Sequence, residues 1–274
     1  MNQSLGLYVI VEKSKSQSHK MKQNTIKKGE VEMKRSISYL MALFLILGVS
    51  GIAFGQTRGT SISRLPYTIE KKGVYYLSKN LEHTKNDKEL EGITVEADNV
   101  TIDLSGFSLT GYGSLDAYYG IYMNGRYNVE IKNGILKNWS SHGIYEANNV
   151  GISHRVINVR VVNNGGKGIF LLGNNHTVKD STVSNNGSHG VDVGTGSLVV
   201  GNTTFNNGGS GLFITTGCTV KDNTASLNQQ DGISLGGNNL VDGNTAFQNN
   251  QSGGGYSNIS PCPTCTFGKN HAPL

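Results

Sequence analysis

The sequence of 274 residues predicts an all-β solenoid, a parallel β-helix, and three observations carry the prediction. A Gly-apolar pair recurs at Gly92, Gly120, Gly143, Gly168, Gly190, Gly211 and Gly232, with successive spacings of 28, 23, 25, 22, 21 and 21. A period in the low twenties belongs to chains whose repeats stack only on their neighbours. Within the copy at 168–189 the apolar residues fall in three bursts of strand length, "GIFL", "HTVKD" and "STVSNN", with Gly, Asn or Asp between them. No part of the copy has room for a helix, which sets aside a leucine-rich repeat of the same period. About seven coils, each as long as these spacings, are expected over 91–250.

The elements of a coil follow in order. In "GIYM", "GIFL", "GVDV", "GLFI" and "GISL" the second and fourth residues are apolar and point inward, while the third points out. Equivalent residues of successive coils stack in rows about 4.8 Å apart. Glycine serves the corners that need φ > 0. Asparagine recurs near the end of each copy, at Asn138, Asn163/Asn164, Asn185/Asn186, Asn206/Asn207, Asn228 and Asn249/Asn250. At a tight corner Asn bonds the backbone and its counterpart one coil on, so these positions are expected to form a ladder. A solenoid has open ends to cover; the off-pattern segment 56–90, with Tyr67, Val74 and Tyr76, is expected to cap one end and supply the first strands, and 251–274 to cap or trail from the other.

The segment 1–55 stands apart. Met33-Lys34-Arg35, the apolar run from Ile37 to Phe54 and the small residues Ala53 and Gly55 describe a signal peptide over 33–55. Residues 1–32 read as a mis-called start or an extended leader. An exported chain is therefore expected, periplasmic or extracellular, with no membrane segment after cleavage. The leader's eight basic and three acidic residues carry the whole net charge of +5; sixteen of each sign remain in 56–274. The mature part is neutral, with no basic patch, and nucleic acid is not an expected partner.

Candidate chemistry sits in two columns. The outward third positions are Tyr122, Tyr145, Phe170, Asp192, Phe213 and Ser234. Aromatic faces one coil apart match successive sugar rings, whose C–H groups pack on such faces; stacking for stability alone is the other reading. The residues just before each glycine are Tyr119, His142, Lys167, His189, Ser210 and Asp231. With Asp192 they bring titratable groups beside the aromatic stripe. If the chain is an enzyme, His189 or Lys167 is the base and Asp192 the orienter or acid; the alternative is a solvated Lys167–Asp192 ion pair. Tyr122, Tyr145, Phe170, Phe213 and His142 are the expected binding residues. His142 and His189 lie two coils apart, about 10 Å, too far to share a metal held at about 2 Å from each nitrogen, so no metal site is expected. His154 and His176 fall in other columns. Cys262 and Cys265, in "CPTC", suit a small disulfide loop, a redox pair or half a metal site. Cys218 reads as a small buried apolar residue.

"GVYYLSKNL", "GITVEADNVTIDLSGFSLTG", "GIYMNGRYNVEIKNGILKN" and "HRVINVRVVNNGGKGI" resemble the right-handed parallel β-helix proteins of the pectin-lyase-like superfamily, over roughly 64–250. The resemblance implies a right-handed helix. For activity it implies only a range: lyases, hydrolases, epimerases, tailspikes and adhesins. The polygalacturonase-like hydrolases carry N-x-D, D-D, G-H-G and R-x-K; this chain has "SHG" at 141–143 and 188–190 but no D-D and no R-x-K. The D-P-H of alginate epimerases is absent, and so is the carboxylate cluster that would hold calcium. No cofactor is expected. The leading expectation is an exported protein that binds, or also processes, a polysaccharide or cell-surface glycan. The alternatives are a non-catalytic structural or adhesive surface protein and, more remotely, a copper-handling periplasmic β-helix.

Overall fold

A computed structural model describes residues 32–34, 59–84, 90–112 and 118–273. The signal-peptide reading falls almost wholly outside them. Among the described residues no helix is long and apolar enough to cross a membrane.

The chain from residue 59 onward winds as a parallel β-solenoid of about nine turns. An eight-stranded sheet runs through Tyr67–Ile69, Glu91–Val95, Tyr119–Asn124, Ile144–Ala147, Ile169–Leu171, Val191–Val193, Leu212–Ile214 and Ile233–Leu235. A sixteen-stranded sheet forms the other faces and bends at left-handed residues such as Asn133 and Asn158, inside the strands Glu130–Lys137 and Arg155–Val162. The turn count exceeds the expected seven for a physical reason. Tyr67–Ile69 pairs in register with Ile93–Val95, and Thr266–Phe267 with Leu240–Val241, although neither added strand follows a Gly-apolar pair. Strands in both off-pattern segments thus extend the helix.

The register stacks like on like. Ile93, Ile121, Ile144, Ile169, Val191, Leu212 and Ile233 form one fully buried row. Corners are held by inward polar ladders. Asn164, Asn186, Asn207, Asn228, Asn249 and Asn258 form one: each Oδ1 after the first accepts the backbone N–H and the side-chain amide of the rung before it. In the expected doublets the rung is Asn164, Asn186, Asn207 and Asn249. The first members Asn163, Asn185 and Asn206 take the left-handed corner at φ of 58°, 56° and 50°. Asn138 is also left-handed and is no rung; the next residue, Trp139, ends this ladder with its N–H on Asn164 Oδ1.

A second ladder, Asn202, Asn223, Asn244 and Asn270, went unread in the sequence. A third mixes its acceptors. His154 and His176 use Nδ1, Ser197 its hydroxyl, Cys218 its sulfur, Asn239 its amide oxygen and Cys265 its sulfur, each taking the N–H of the residue one coil earlier. Cys262 and Cys265 are joined by a disulfide at the last turn.

Two early coils depart from the pattern. Trp139 is 1 % exposed and fills the interior beside Gly92, Gly111 and Gly120, where an added Cβ would come within 2.9 Å of the indole or its own backbone. Those glycines are the space the indole needs. Glu146 takes the inward fourth position of "GIYE" and is fully buried, in the row of Val95, Met123, Leu171, Val193 and Ile214. Its carboxylate accepts the N–H groups of Gly151 at 3.0 Å and Gly173 at 2.7 Å, tying down the longer turn between its strand and His154. Burial pushes its carboxyl above the usual range, against these N–H bonds.

Candidate functional site

The outward face of the eight-stranded sheet gathers the residues the sequence singled out. The strand register aligns Thr94, Tyr122, Tyr145, Phe170, Asp192, Phe213 and Ser234 in one column. The pre-glycine residues form the column beside it.

The rings pack on one another. Tyr119 stacks on Tyr122 (centroids 5.5 Å, 15°) and on His142 (5.6 Å, 21°). Tyr145 stacks on Phe170 at 5.4 Å and 17°, and His142 meets the edge of Phe170 at 5.4 Å. His189 stacks on Phe213 at 4.8 Å. The faces of Tyr145 and Phe170 therefore cover each other. The Lys167 ammonium lies 3.3 Å from the Phe170 centroid, a cation–π contact on the same ring. What the middle of the stripe offers to solvent is rim: the phenol hydroxyls of Tyr119, Tyr122 and Tyr145, none of which bonds to another described residue. Larger exposed aromatic areas remain at Phe213, 37 % exposed, and at Tyr118, 39 % exposed, which meets Tyr119 edge-on at 5.0 Å.

The charged groups are fixed too. Lys167 Nζ is 2.5 Å from Asp192 Oδ2, and Asp192 is only 6 % exposed. His142 Nδ1 accepts the Lys167 N–H at 2.9 Å, and His189 Nδ1 accepts the Ser210 N–H at 2.9 Å. Each neutral ring therefore carries its proton on Nε2, which is neither buried nor bonded to another described residue. Burial, with Lys167 adding to it, lowers the His142 pKa to about 4. Burial also lowers that of His189, opposed by Asp192 and Asp231 and aided by Lys167. Tyr119 and Tyr122 are raised, first by burial and then by neighbouring tyrosines and Glu91. Asp231 is buried and accepts the Ser257 N–H at 2.6 Å.

His154 and His176 lie elsewhere, inside the solenoid, stacked at 5.1 Å and 6°. Among the described residues no group of three or more His, Cys, Asp or Glu could hold a metal ion. The sequence reading missed Tyr118, Glu91 and Glu146. Glu91 carried a signal, since it precedes Gly92 as His142 precedes Gly143. Glu146 carried one as well, an acid where the other copies have an apolar residue.

The coil geometry and the family it matches define the class, a right-handed parallel β-helix. The chain belongs to the family described as right handed beta helix region, whose model matches residues 119–271. A search of curated proteins finds no match. Among solved structures, the pectate lyase Pel9A is 16 % identical with a TM-score of 0.58, over 77 % of this chain and 69 % of that one. A double mutant of the periplasmic alginate epimerase AlgG is 11 % identical with a TM-score of 0.46, over 73 % and 62 %. The Dettilon tailspike protein is 13 % identical with a TM-score of 0.41, over 76 % and 51 %. At these identities the likeness is one of fold.

Proposed function

We propose that the outward face of the eight-stranded sheet is a polysaccharide-binding surface, acting outside the cytoplasm. One observation carries the reading: a ladder of packed rings from Tyr118 to Phe170 that resumes, past the Lys167–Asp192 pair, at His189 and Phe213, running along the axis in steps set by the coil. Phenol hydroxyls on the coils of Tyr122 and Tyr145, and Nε2–H groups two coils apart at His142 and His189, suit a polymer with hydroxyl-bearing units along the axis. Phe213 and Tyr118 supply the exposed ring surface for sugar C–H groups. The basic, apolar and small-residue order of 33–55 supports export. That the structural neighbour Pel9A is a pectate lyase fits a polysaccharide partner.

Processing of the bound polymer is the second reading. Its support is the meeting of Lys167, Asp192 and His189 on adjacent coils. The hydrogen bonds favour binding over it: Lys167 is an ion-paired ammonium, and His189 offers a donor rather than a free base nitrogen.

The test is incubation of the full chain with a panel of polysaccharides, following binding and product release together. Binding without products, weakened at least tenfold in Phe213→Ala, is the expected result. Products that vanish in His189→Ala or Lys167→Ala would replace it with catalysis. No binding to any glycan would leave a structural or adhesive role.

A further inference from the structure

We propose that the polymer taken by this face is an uncharged glycan rather than a polyuronate, an inference that rests on the glycan-binding reading above. The charge inventory along the two columns points that way. The described ionic side chains are Glu91, Lys167, Asp192 and Asp231, three carboxylates against one ammonium.

That ammonium is already matched. Lys167 sits 2.5 Å from Asp192 and over the Phe170 ring. Pairing it with a uronate would strand the buried Asp192 carboxylate, and an uncompensated buried charge is strongly unfavourable. Neither histidine supplies a second cation. A protonated His142 or His189 would turn an Nδ1–H against the backbone N–H of Lys167 or Ser210 that it now accepts, so each ring stays neutral. Arg126, at the far end of the Tyr119–Asn124 strand, is held by the carbonyls of Glu96 and Asn124. No described carboxylate cluster could recruit a bridging divalent cation.

A polyuronate brings one negative charge per ring to a face with an excess of carboxylates, and like-charge contact selects against it. A neutral polymer meets none of this. Its hydroxyls accept from the imidazole Nε2–H groups and exchange hydrogen bonds with the tyrosine phenols, which lose nothing already paired.

The experiment titrates the full chain calorimetrically with cellohexaose and mannohexaose, and with hexamers of galacturonate and mannuronate, at low and at high salt. The expected result is binding of a neutral hexamer that salt leaves unchanged, with the uronates at least about tenfold weaker at low salt. Asp192→Asn frees the Lys167 charge and is expected to raise uronate affinity several-fold relative to that of the neutral hexamers. Uronates bound as tightly as neutral hexamers, or a folded Asp192→Asn with no gain toward them, would overturn the charge argument and leave the glycan face standing. Failure of all four hexamers to bind would instead remove the glycan-binding reading itself.

Discussion

The coils from Gly168 to Asn250 and those from Gly92 to Lys167 meet the same interior demand in different ways. Each corner leaves backbone N–H groups pointing at a closed core. The later coils, short and nearly uniform in length, use one device repeatedly, an Asn whose oxygen takes two donors from the coil before. The earlier coils, longer and unequal, use single devices: Glu146 and His154 accept backbone N–H groups, and Trp139 fills the space beside Gly92, Gly111 and Gly120. Most of the outward aromatic cluster, from Tyr118 to Tyr145, lies on the same irregular side. Regular coils tolerate uniform rungs because every loop is the same length. Unequal loops need side chains of different reach, and these bring titratable groups into the core.

The largest way to break the comparison is acid. His154 and His176 are held neutral by burial, with pKa values near 4 and near 3. Both lie below the unfolded value of about 6.5. The unfolded chain therefore takes up protons first, and stability present above about pH 6.5 is lost as pH falls toward 4 and 3. The slope is about 1.4 kcal/mol per pH unit for each histidine that titrates. Glu146, raised by burial, acts oppositely and loses stability as pH rises past the usual carboxylate range. His176→Ser, which keeps an acceptor like that of Ser197, should flatten the acid limb of denaturant midpoint against pH. An unchanged limb would acquit the pair.

Trp139→Ala comes next, at about 3–5 kcal/mol, because Gly92, Gly111 and Gly120 cannot fill the void; urea unfolding measures it. Asn207→Leu leaves the N–H and the amide of Asn186 unpaired and should cost about 2–4 kcal/mol. Asn206→Gly, next to it but exposed and left-handed, should cost less than about 1 kcal/mol. Equal losses would mean that the inner rungs are no more important than the outer ones. Glu146→Leu should lose about 2–3 kcal/mol despite matching its row, because the Gly151 and Gly173 N–H groups lose their acceptor. Glu146→Gln keeps an amide oxygen for them and should recover part of the loss in the same unfolding series.

The column assignments were legible because they depend on alternation within one strand. Tyr122, Tyr145, Phe170, Asp192 and Phe213 align as the Gly-apolar phrase implies. The second Asn ladder was equally available in the "NT" pairs at 202, 223 and 244, but those fall far from the glycine on which the copies were aligned. The tautomers of His142 and His189 were not available. They depend on the backbone N–H of Lys167 and of Ser210, each contributed by the following coil.

The repeat, the strand-length bursts and the alternation of apolar residues by themselves determined that this chain winds as a parallel β-helix and which side chains face out. They act through backbone geometry, which is local and recurs in every coil. Only the tertiary structure decided which Asn of a doublet becomes a rung, that Glu146 lies inside, that the rings of Tyr145 and Phe170 cover each other, and that Lys167 is neutralised by Asp192. Each of those outcomes is a contact between neighbouring coils whose partners are distant in sequence, and the unequal loops shift what meets what.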